Sequence, residues 1–172
     1  ASPRSSASSA WSGPCPRPPR AGAPFNETAR RAAAAFFGED LPAKTIEDVV
    51  DESLTFPIPL VPIEPGLYSL ELFHGPTLRF KDVGARFMAG LMLPFLERRG
   101  REVTVLVATS GDTGSAVASA FHGLAGVEVV VLFPRGKVSA LQQKMFTTLG
   151  ANVAAVAVEV VVADWNQARD RR

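Results

Sequence analysis

The sequence predicts an α/β fold: a parallel β-sheet with flanking helices. Three apolar segments, "VTVLVA", "VEVVVLF" and "VAAVAV", alternate with two helix-like segments, "SAVASAFHGL" and "VSALQQKMFTTL". Strands that alternate with helices are typical of βαβ units, in which the strands are parallel. Continuous apolarity along each strand indicates that both faces of the sheet are covered. We therefore predict adjacent parallel strands at residues 103–108, 127–133 and 153–158, joined by right-handed crossovers.

The two ends of the chain differ in composition from the part between them. Residues 1–24 are rich in Ser, Pro and Arg, contain no Asp or Glu, and show no hydrophobic periodicity. This composition is typical of a disordered segment. A natural tail, an organellar transit peptide and a mis-framed start are three origins for it, and the many prolines favour a non-native start over an amphipathic transit helix. Residues 160–172 read as a short tail, so we predict one partial α/β domain at residues 25–159.

Four elements are predicted between residue 25 and the first strand of that sheet. "NETARRAAAAFF" is a helix with Asn26 or Thr28 near its N-cap, and "TIEDVVDESL" is an amphipathic helix capped by Thr45. "FPIPLVPIEPG" has too many prolines for a central strand and is interpreted as a surface connection, whereas "LYSLELF" is a strand. Residues 80–98 form a helix with apolar residues at steps of four: Val83, Phe87, Leu91 and Phe95.

The composition disfavours several functional classes. The 172 residues carry a formal net charge of +1, which gives no charge excess for binding nucleic acid or an acidic membrane. The apolar runs are much too short to span a bilayer. One cysteine, Cys15, excludes a disulfide framework and a cysteine-based metal site. A lone cysteine fits a reducing compartment, so we expect a cytoplasmic protein, with a plastid or another organelle as the alternative.

The segment "ATSGDTGSAV" joins the first predicted strand of the sheet to the helix that follows it. Its loop, residues 109–114, contains two glycines that allow the backbone to approach a ligand closely. The first N–H groups of a helix lack internal partners, and the helix dipole favours an anion there. Open α/β folds bind ligands at this end of their strands. The alternative is structural: Gly111 forms a turn and Asp112 or Thr113 caps the helix.

The same loop contains "DTGS", which also occurs at the active site of aspartic proteases. In those enzymes two such aspartates work as a pair. Here an alanine-rich helix follows the motif, and the sequence contains no second copy. The protease interpretation is therefore disfavoured.

The segment "ELFHGPTLRFKDVGARF" places a lysine where an apolar side chain is expected. Lys81 follows Phe80 at the predicted start of a helix. A cation there opposes the helix dipole, so the position is unfavourable for a purely structural lysine. Desolvation among phenylalanines would lower the pKa of its amine and suit it to form a Schiff base. The alternative is an exposed lysine paired with Asp82 or Glu71.

Together with "LFPRGKVSALQQKMFTTLGANV", these two segments resemble threonine synthase. The resemblance runs from about Phe25 to Val158 and rests on three motifs in the order of that family. It implies a pyridoxal-phosphate enzyme with the tryptophan-synthase β-like fold, also called fold type II. It also implies that Lys81 bonds covalently to pyridoxal 5′-phosphate, beside Phe80.

The resemblance implies further site residues. The loop residues Ser110, Gly111, Asp112, Thr113 and Gly114 would contact the cofactor and the substrate carboxylate. Three more residues would bind substrate: His74, Thr77 and Thr109. By itself, His74 is more typical of a hydrogen-bonded structural histidine.

The reaction implied by the resemblance converts O-phospho-L-homoserine and water to L-threonine and phosphate. Lys81 would shuttle protons while the cofactor acts as electron sink. Members of this family are far longer, and the glycine-rich loop that holds the cofactor phosphate comes later in their chains. We therefore expect a fragment, truncated at its C-terminus and atypical at its N-terminus, that does not turn over substrate alone. We also expect it to self-associate through exposed apolar surface.

Two alternatives to a threonine synthase stay open at this point. One is a non-catalytic α/β module that binds a small anion at the loop of residues 109–114. The other is a different pyridoxal-phosphate lyase of the same fold, such as threonine or serine dehydratase. The stretch "ELFHGPT" favours the synthase over the dehydratases.

Overall fold

A computed structural model describes residues 23–159. The predictions made for residues 1–22 and 160–172 lie outside this described part. The chain divides into two compact units, residues 1–55 and residues 56–172. The predicted domain limits at residues 25 and 159 stay predictions.

The described part of the first unit consists of two helices, α1 (Phe25–Phe37) and α2 (Ala43–Ser53). The two helices pack against each other. Arg30 Nη2 in α1 lies 2.6 and 2.7 Å from the two carboxylate oxygens of Asp51 in α2. This bidentate ion pair fixes one helix against the other.

The caps of α1 and α2 differ from the sequence prediction. The N-cap residues are Pro24 and Pro42, and neither helix has a side-chain hydrogen bond at its N-cap. The predicted caps Asn26, Thr28 and Thr45 are therefore wrong, because each lies inside its helix. The φ angle of a proline is fixed near the helical value, so proline can start a helix without a side-chain cap.

The second unit begins with a hairpin of β1 (Leu60–Glu64) and β2 (Leu67–Leu70). The two strands are antiparallel, with Pro62 opposite Tyr68. Strand β2 is confirmed, but the interpretation of residues 56–66 as a connection without a strand is wrong. A two-stranded ribbon has only edge strands, and edge strands tolerate proline.

Six further elements complete the second unit: α3 (Lys81–Arg99), β3 (Val103–Ala108), α4 (Asp112–Phe121), β4 (Val127–Pro134), α5 (Ala140–Thr147) and β5 (Val153–Val158). The last three strands form one parallel sheet in the order β3-β4-β5. The predicted α/β fold and its adjacent parallel strands are confirmed, and β4 is one residue longer than predicted.

The two faces of this sheet differ in how much of their surface is covered by helices. The buried face of β4, which includes Val129 and Val131, packs with Phe121 of α4 and Phe146 of α5 in one core cluster. On the other face Leu106 is 65% exposed and Val156 is 45% exposed. Because the strand order advances in one direction, both crossover helices lie on one face. The prediction that both faces are covered is therefore wrong for the described residues.

Helix α3 packs against α4 through small side chains. Ala85 and Ala89 are buried in the same core cluster as Ala116. The predicted apolar stripe that includes Val83 and Phe87 is only half-buried, so the buried side of α3 is displaced from the one the sequence indicated. None of the described helices combines the length and the apolarity needed to cross a membrane.

Candidate functional site

The turn before α3 determines where Lys81 lies. Lys81 is the first residue of this helix, and its N-cap residue, Phe80, makes no side-chain capping bond. The Asp82 carboxylate is buried and accepts hydrogen bonds from the Thr77 N–H at 2.8 Å and the Thr77 hydroxyl at 2.6 Å. A carboxylate in the first helical turn is also stabilised by the helix dipole. Asp82 thus ties the turn to the helix that carries Lys81.

This turn contains a strained residue. Leu78 has a φ of +57°, and its side chain is exposed. The left-handed conformation costs a residue with a Cβ about 1 kcal/mol. Such strain persists only where surrounding contacts hold it, and it is concentrated at functional sites. Here it separates Thr77, which faces Asp82, from Arg79, which faces α4.

The Lys81 amine lies beside an aromatic ring. Its Nζ is 4.5 Å from the centre of the Phe80 ring, an arrangement favourable for a cation. The bonds of Asp82 run to Thr77, and Glu71 pairs with His74 at 2.7 Å. Within residues 23–159 Lys81 therefore forms no ion pair with either carboxylate, and the interpretation as a paired surface lysine is not supported.

Residues 109–114 comprise the connection between β3 and α4 and the first three residues of α4; we call this segment the β3–α4 loop, and Thr109 holds it from inside. The Thr109 hydroxyl oxygen accepts hydrogen bonds from the N–H groups of Gly111 and Gly114, each at 3.0 Å. Gly111 is the N-cap of α4 and has a φ of +145°. A Cβ on Gly111 would lie 2.6 Å from Nε2 of Gln142. Only glycine combines this backbone angle with this close approach.

The Asp112 side chain does not cap α4, contrary to the structural alternative. Asp112 is the first helical residue, and the N-cap of α4 makes no side-chain capping bond. Arg79 Nε and Gln142 Nε2 both donate to Asp112 Oδ1, each at 2.6 Å. Arg79 also donates to the Thr77 carbonyl at 3.0 Å. We call Arg79, Asp112 and Gln142 the carboxylate junction, because three segments meet at one carboxylate oxygen.

The junction sets the protonation state of Asp112. Donation from Gln142 and then from Arg79 lowers the pKa of the Asp112 carboxyl below its ordinary value, and burial opposes this only partly. The charge of Lys81 acts in the same direction from a greater distance. Asp112 is therefore ionised at neutral pH, and its negative charge lies within the electrostatic reach of the Lys81 amine.

A cavity of about 510 Å³ lies between α3 and α4. Its walls are mostly apolar, and its lining includes Lys81 at the start of α3 and Thr113 at the start of α4. The remaining lining residues are Leu72, Phe80, Val83, Gly84, Ala85, Met88, Ala116 and Val117. The two sequence motifs thus contribute to one concave site.

The other predicted site residues are not among the described residues that line this cavity, and they differ in exposure and in their hydrogen bonds. Ser110 is exposed, whereas Gly111 and Gly114 are buried in the β3–α4 loop. The hydroxyl of Thr77 is bonded to Asp82. His74 pairs with Glu71, as expected of a hydrogen-bonded histidine. The binding roles assigned to these residues by resemblance stay predictions.

Three residues of the site were not selected from the sequence: Arg79, Asp82 and Gln142. Asp82 had a readable signal, because an acidic residue in a first helical turn is a common helix-start feature. Gln142 follows Ser139 by three positions, which is the capping-box pattern. The pairing of Arg79 with Asp112 spans 33 residues and had no signal in a single sequence.

Comparisons with known proteins identify a family model, related sequences and similar solved structures. Residues 55–171 match the family model described as "Pyridoxal-phosphate dependent enzyme". Threonine synthase of Haemophilus influenzae is 48% identical over 135 residues, covering 78% of this chain and 31% of the relative. The crystal structure of threonine synthase from Escherichia coli superposes with a TM-score of 0.72 at 47% identity, covering 84% of this chain and 33% of that one. The structure of PLP-bound threonine synthase from Brucella melitensis gives a TM-score of 0.75 at 39% identity, covering 87% and 33%.

These comparisons confirm the resemblance and the fold type inferred from the motifs. The chain spans about a third of the length of the relatives it matches.

Proposed function

Because the chain belongs to the pyridoxal-phosphate dependent enzyme family, we propose that it carries the lysine-bearing part of a threonine synthase. The proposed reaction converts O-phospho-L-homoserine and water to L-threonine and phosphate. One observation carries the proposal: Lys81 and Thr113, from two separate motifs, line the same apolar cavity.

The residues around this cavity fit the ring and the aldehyde of pyridoxal phosphate. The apolar walls suit a flat aromatic ring. Lys81 offers a primary amine, the group that bonds covalently to an aldehyde carbon. Thr113 adds a hydroxyl at the start of α4, where the helix dipole favours a negative charge.

When bound, the cofactor supplies an electron sink for charge that develops at the substrate Cα. The residues of the chain have separate tasks. Lys81 would hold the cofactor and move protons at the substrate Cα and Cβ. The β3–α4 loop, from Ser110 to Gly114, would bind the substrate carboxylate at the N-terminus of α4. In the net reaction the bond from Cγ to the phosphate oxygen breaks and Cγ gains a proton to become the methyl group. Cβ loses a proton and gains the hydroxyl of water, whose other proton goes to the released phosphate.

Three residues would act near the substrate: His74, Thr77 and Thr109. Thr77 and Thr109 would act through the segments that they hold, since the Thr77 hydroxyl bonds to Asp82 and Thr109 accepts from two loop N–H groups. His74 would contact substrate directly, because its side chain is one-third exposed.

The similarity to threonine synthases at 47–48% identity favours this function over a dehydratase or a non-catalytic module. We propose a cytoplasmic location and self-association through the open face of the sheet, around Leu106 and Val156. A cavity of this size suits a small-molecule substrate.

The first test measures where the cofactor bonds. The chain contains four lysines, at positions 44, 81, 137 and 144, so each protein molecule carries its own controls. After incubation with pyridoxal phosphate and reduction with borohydride, we expect the label at Lys81 to exceed that at the other three. Lys81→Ala should remove the excess and Lys137→Ala should retain it. Equal labelling of all four lysines would contradict the proposal.

The second test measures the reaction itself. Among residues 23–159, the cavity lining offers side-chain nitrogen or oxygen atoms only from Lys81 and Thr113. The dianionic phosphate of the cofactor needs several donors. We therefore expect the 172-residue chain to release no phosphate from O-phosphohomoserine. Grafted in place of the matching stretch of E. coli threonine synthase, it should support phosphate release that Lys81→Ala abolishes. A folded graft that instead deaminates threonine would identify a dehydratase.

A further inference from the structure

The carboxylate junction links the turn before Lys81 to the start of α4. The proposed chemistry requires these two segments to keep a fixed relative position. Arg79 lies two positions before Lys81, and Asp112 lies directly before Thr113. Gln142 comes from α5 and completes the junction from the far side of the loop. The junction is therefore a connection across the site between the lysine turn and the start of α4.

We propose that Arg79 and Gln142 are positioning residues, which hold Asp112 and thereby orient the β3–α4 loop towards Lys81. This inference deepens the proposed function and rests on it for its catalytic consequence. Its structural part, that Arg79 and Gln142 hold Asp112 and orient the loop, does not depend on the proposed function.

The geometry at Asp112 supports a positioning role over an ordinary surface ion pair. Exposed pairs contribute little because solvent competes for both partners. The Asp112 side chain is 44% exposed, but the Arg79 side chain is only 24% exposed and its guanidinium also donates to the Thr77 carbonyl. Both donors to Asp112 reach the same oxygen at 2.6 Å. A planar guanidinium that donates in two directions fixes the angle between the two segments as well as their distance.

Gln142 has two simultaneous roles in this arrangement. Its Oε1 accepts from the Ser139 hydroxyl at 2.9 Å, within the capping box of α5. Its Nε2 donates to Asp112. The capping box holds the side-chain amide of Gln142 in one orientation. Its Nε2 donor is therefore preorganised for the bond to Asp112.

The test uses the full chain and three arginine variants. Arg79→Met removes both donations at similar volume, and Arg79→Lys keeps the charge without the fork. Arg135→Met is the matched control, because Arg135 pairs with Glu159 between exposed side chains and, within residues 23–159, makes no recorded hydrogen bond to the junction. Three quantities are measured: the NMR titration midpoint of the Asp112 carboxyl, hydrogen exchange of the Gly114 amide, and the rate of borohydride-trapped labelling at Lys81.

We expect Arg79→Met to raise the Asp112 midpoint towards that of a free carboxyl and to speed Gly114 exchange by about tenfold, the factor that loss of a charge-assisted hydrogen bond implies. Arg79→Lys should give intermediate values and Arg135→Met the wild-type ones. Lys81 labelling should slow in the same order. Circular dichroism identifies variants that have lost the fold, and Arg79→Lys then carries the comparison.

The outcomes separate the two proposals. If Arg79→Met leaves the Asp112 midpoint and the Gly114 exchange unchanged, the positioning role is overturned, whatever happens at Lys81. If both change while wild-type Lys81 shows no preferential labelling, the junction stands and the proposed function fails.

Discussion

The β3–α4 loop and the β4–α5 loop leave the same edge of the sheet, yet the helices after them start differently. Helix α5 starts with Ser139, whose hydroxyl and backbone form a full capping box with Gln142. Helix α4 starts with Gly111, which has no side chain, and the nearest acidic side chain bonds to Arg79 and Gln142 instead. The polar side chains at the start of α5 stabilise that helix. The acidic side chain at the start of α4 instead holds the segments of the site together.

The largest difference in stability between the two loops should appear when one glycine in each is replaced by alanine. At Gly111 the φ of +145° is strained for a residue with a Cβ, and the Gln142 amide would have to move and give up its bond to Asp112, so Gly111→Ala should lower the free energy of unfolding by about 2–4 kcal/mol. At Gly136, in the β4–α5 loop, φ is +67° but a Cβ would meet nothing within 4 Å. Gly136→Ala should cost about 1 kcal/mol, the conformational term alone.

Urea unfolding of both variants measures this difference. The labelling of Lys81 should fall only in Gly111→Ala. Equal losses of stability in the two variants would show that the loops are equivalent and that the close approach to Gln142 has no consequence.

The next effect separates the two roles of Gln142. Ser139→Ala removes the capping hydroxyl and should cost about 1 kcal/mol. Gln142→Ala removes its share of the same box and the bond to Asp112, so it should cost about 1–2 kcal/mol. Gln142→Ala should accelerate hydrogen exchange at Gly114 more than Ser139→Ala does, because Ser139 reaches Asp112 only through Gln142. If the two variants accelerate that exchange equally, the bond from Gln142 to Asp112 has no separate effect on the loop.

A smaller effect on stability is expected when the pH is lowered. The pKa of Asp112 is lower in the folded chain than its ordinary value, so its contribution to stability is fully present above that ordinary value. It is lost as the pH falls below that ordinary value and through the lowered folded value. Asp112→Asn should flatten this part of the stability profile in urea titrations. A profile unaffected by Asp112→Asn would mean that the junction donors do not favour the ionised form.

The smallest effect concerns the sheet that both loops share. Leu106 on its open face is 65% exposed, and Leu141 on α5 is 69% exposed. We expect Leu106→Lys to reduce binding of a hydrophobic dye and self-association, because it interrupts a patch that also contains Val156. Leu141→Lys, at a similarly exposed position on a helix, should change both much less. Equal effects at the two leucines would contradict a role for the open face.

The sheet could be predicted from the sequence because its signal is local. Runs such as "VTVLVA" followed by glycine-containing loops define strand ends to within one residue. The cover of the two faces could not be predicted, because apolar composition does not specify which element packs on Leu106. The caps at Pro24 and Pro42 were missed because polar residues nearby offered a stronger pattern than proline.

The candidate site was predictable in part for the same reason. Lys81 and the β3–α4 loop each form a recognisable short motif. Their connection through Arg79 and Gln142 depends on folding, because the sequence around Asp112 indicated only a helix cap or a ligand contact and the donors lie 33 and 30 residues away. A charged bond with good geometry outcompetes a cap at an exposed helix start, and this choice is decided only by tertiary structure.

The bond between Thr77 and Asp82 joins residues five positions apart, and the bond between Arg79 and Asp112 joins residues 33 apart. By the logarithmic dependence of loop-closure entropy on length, the shorter contact closes at an entropic cost lower by roughly 2 kcal/mol. The turn that presents Lys81 is thus assembled by its immediate neighbours in the chain. The partner loop comes into place only when the sheet has brought distant residues together.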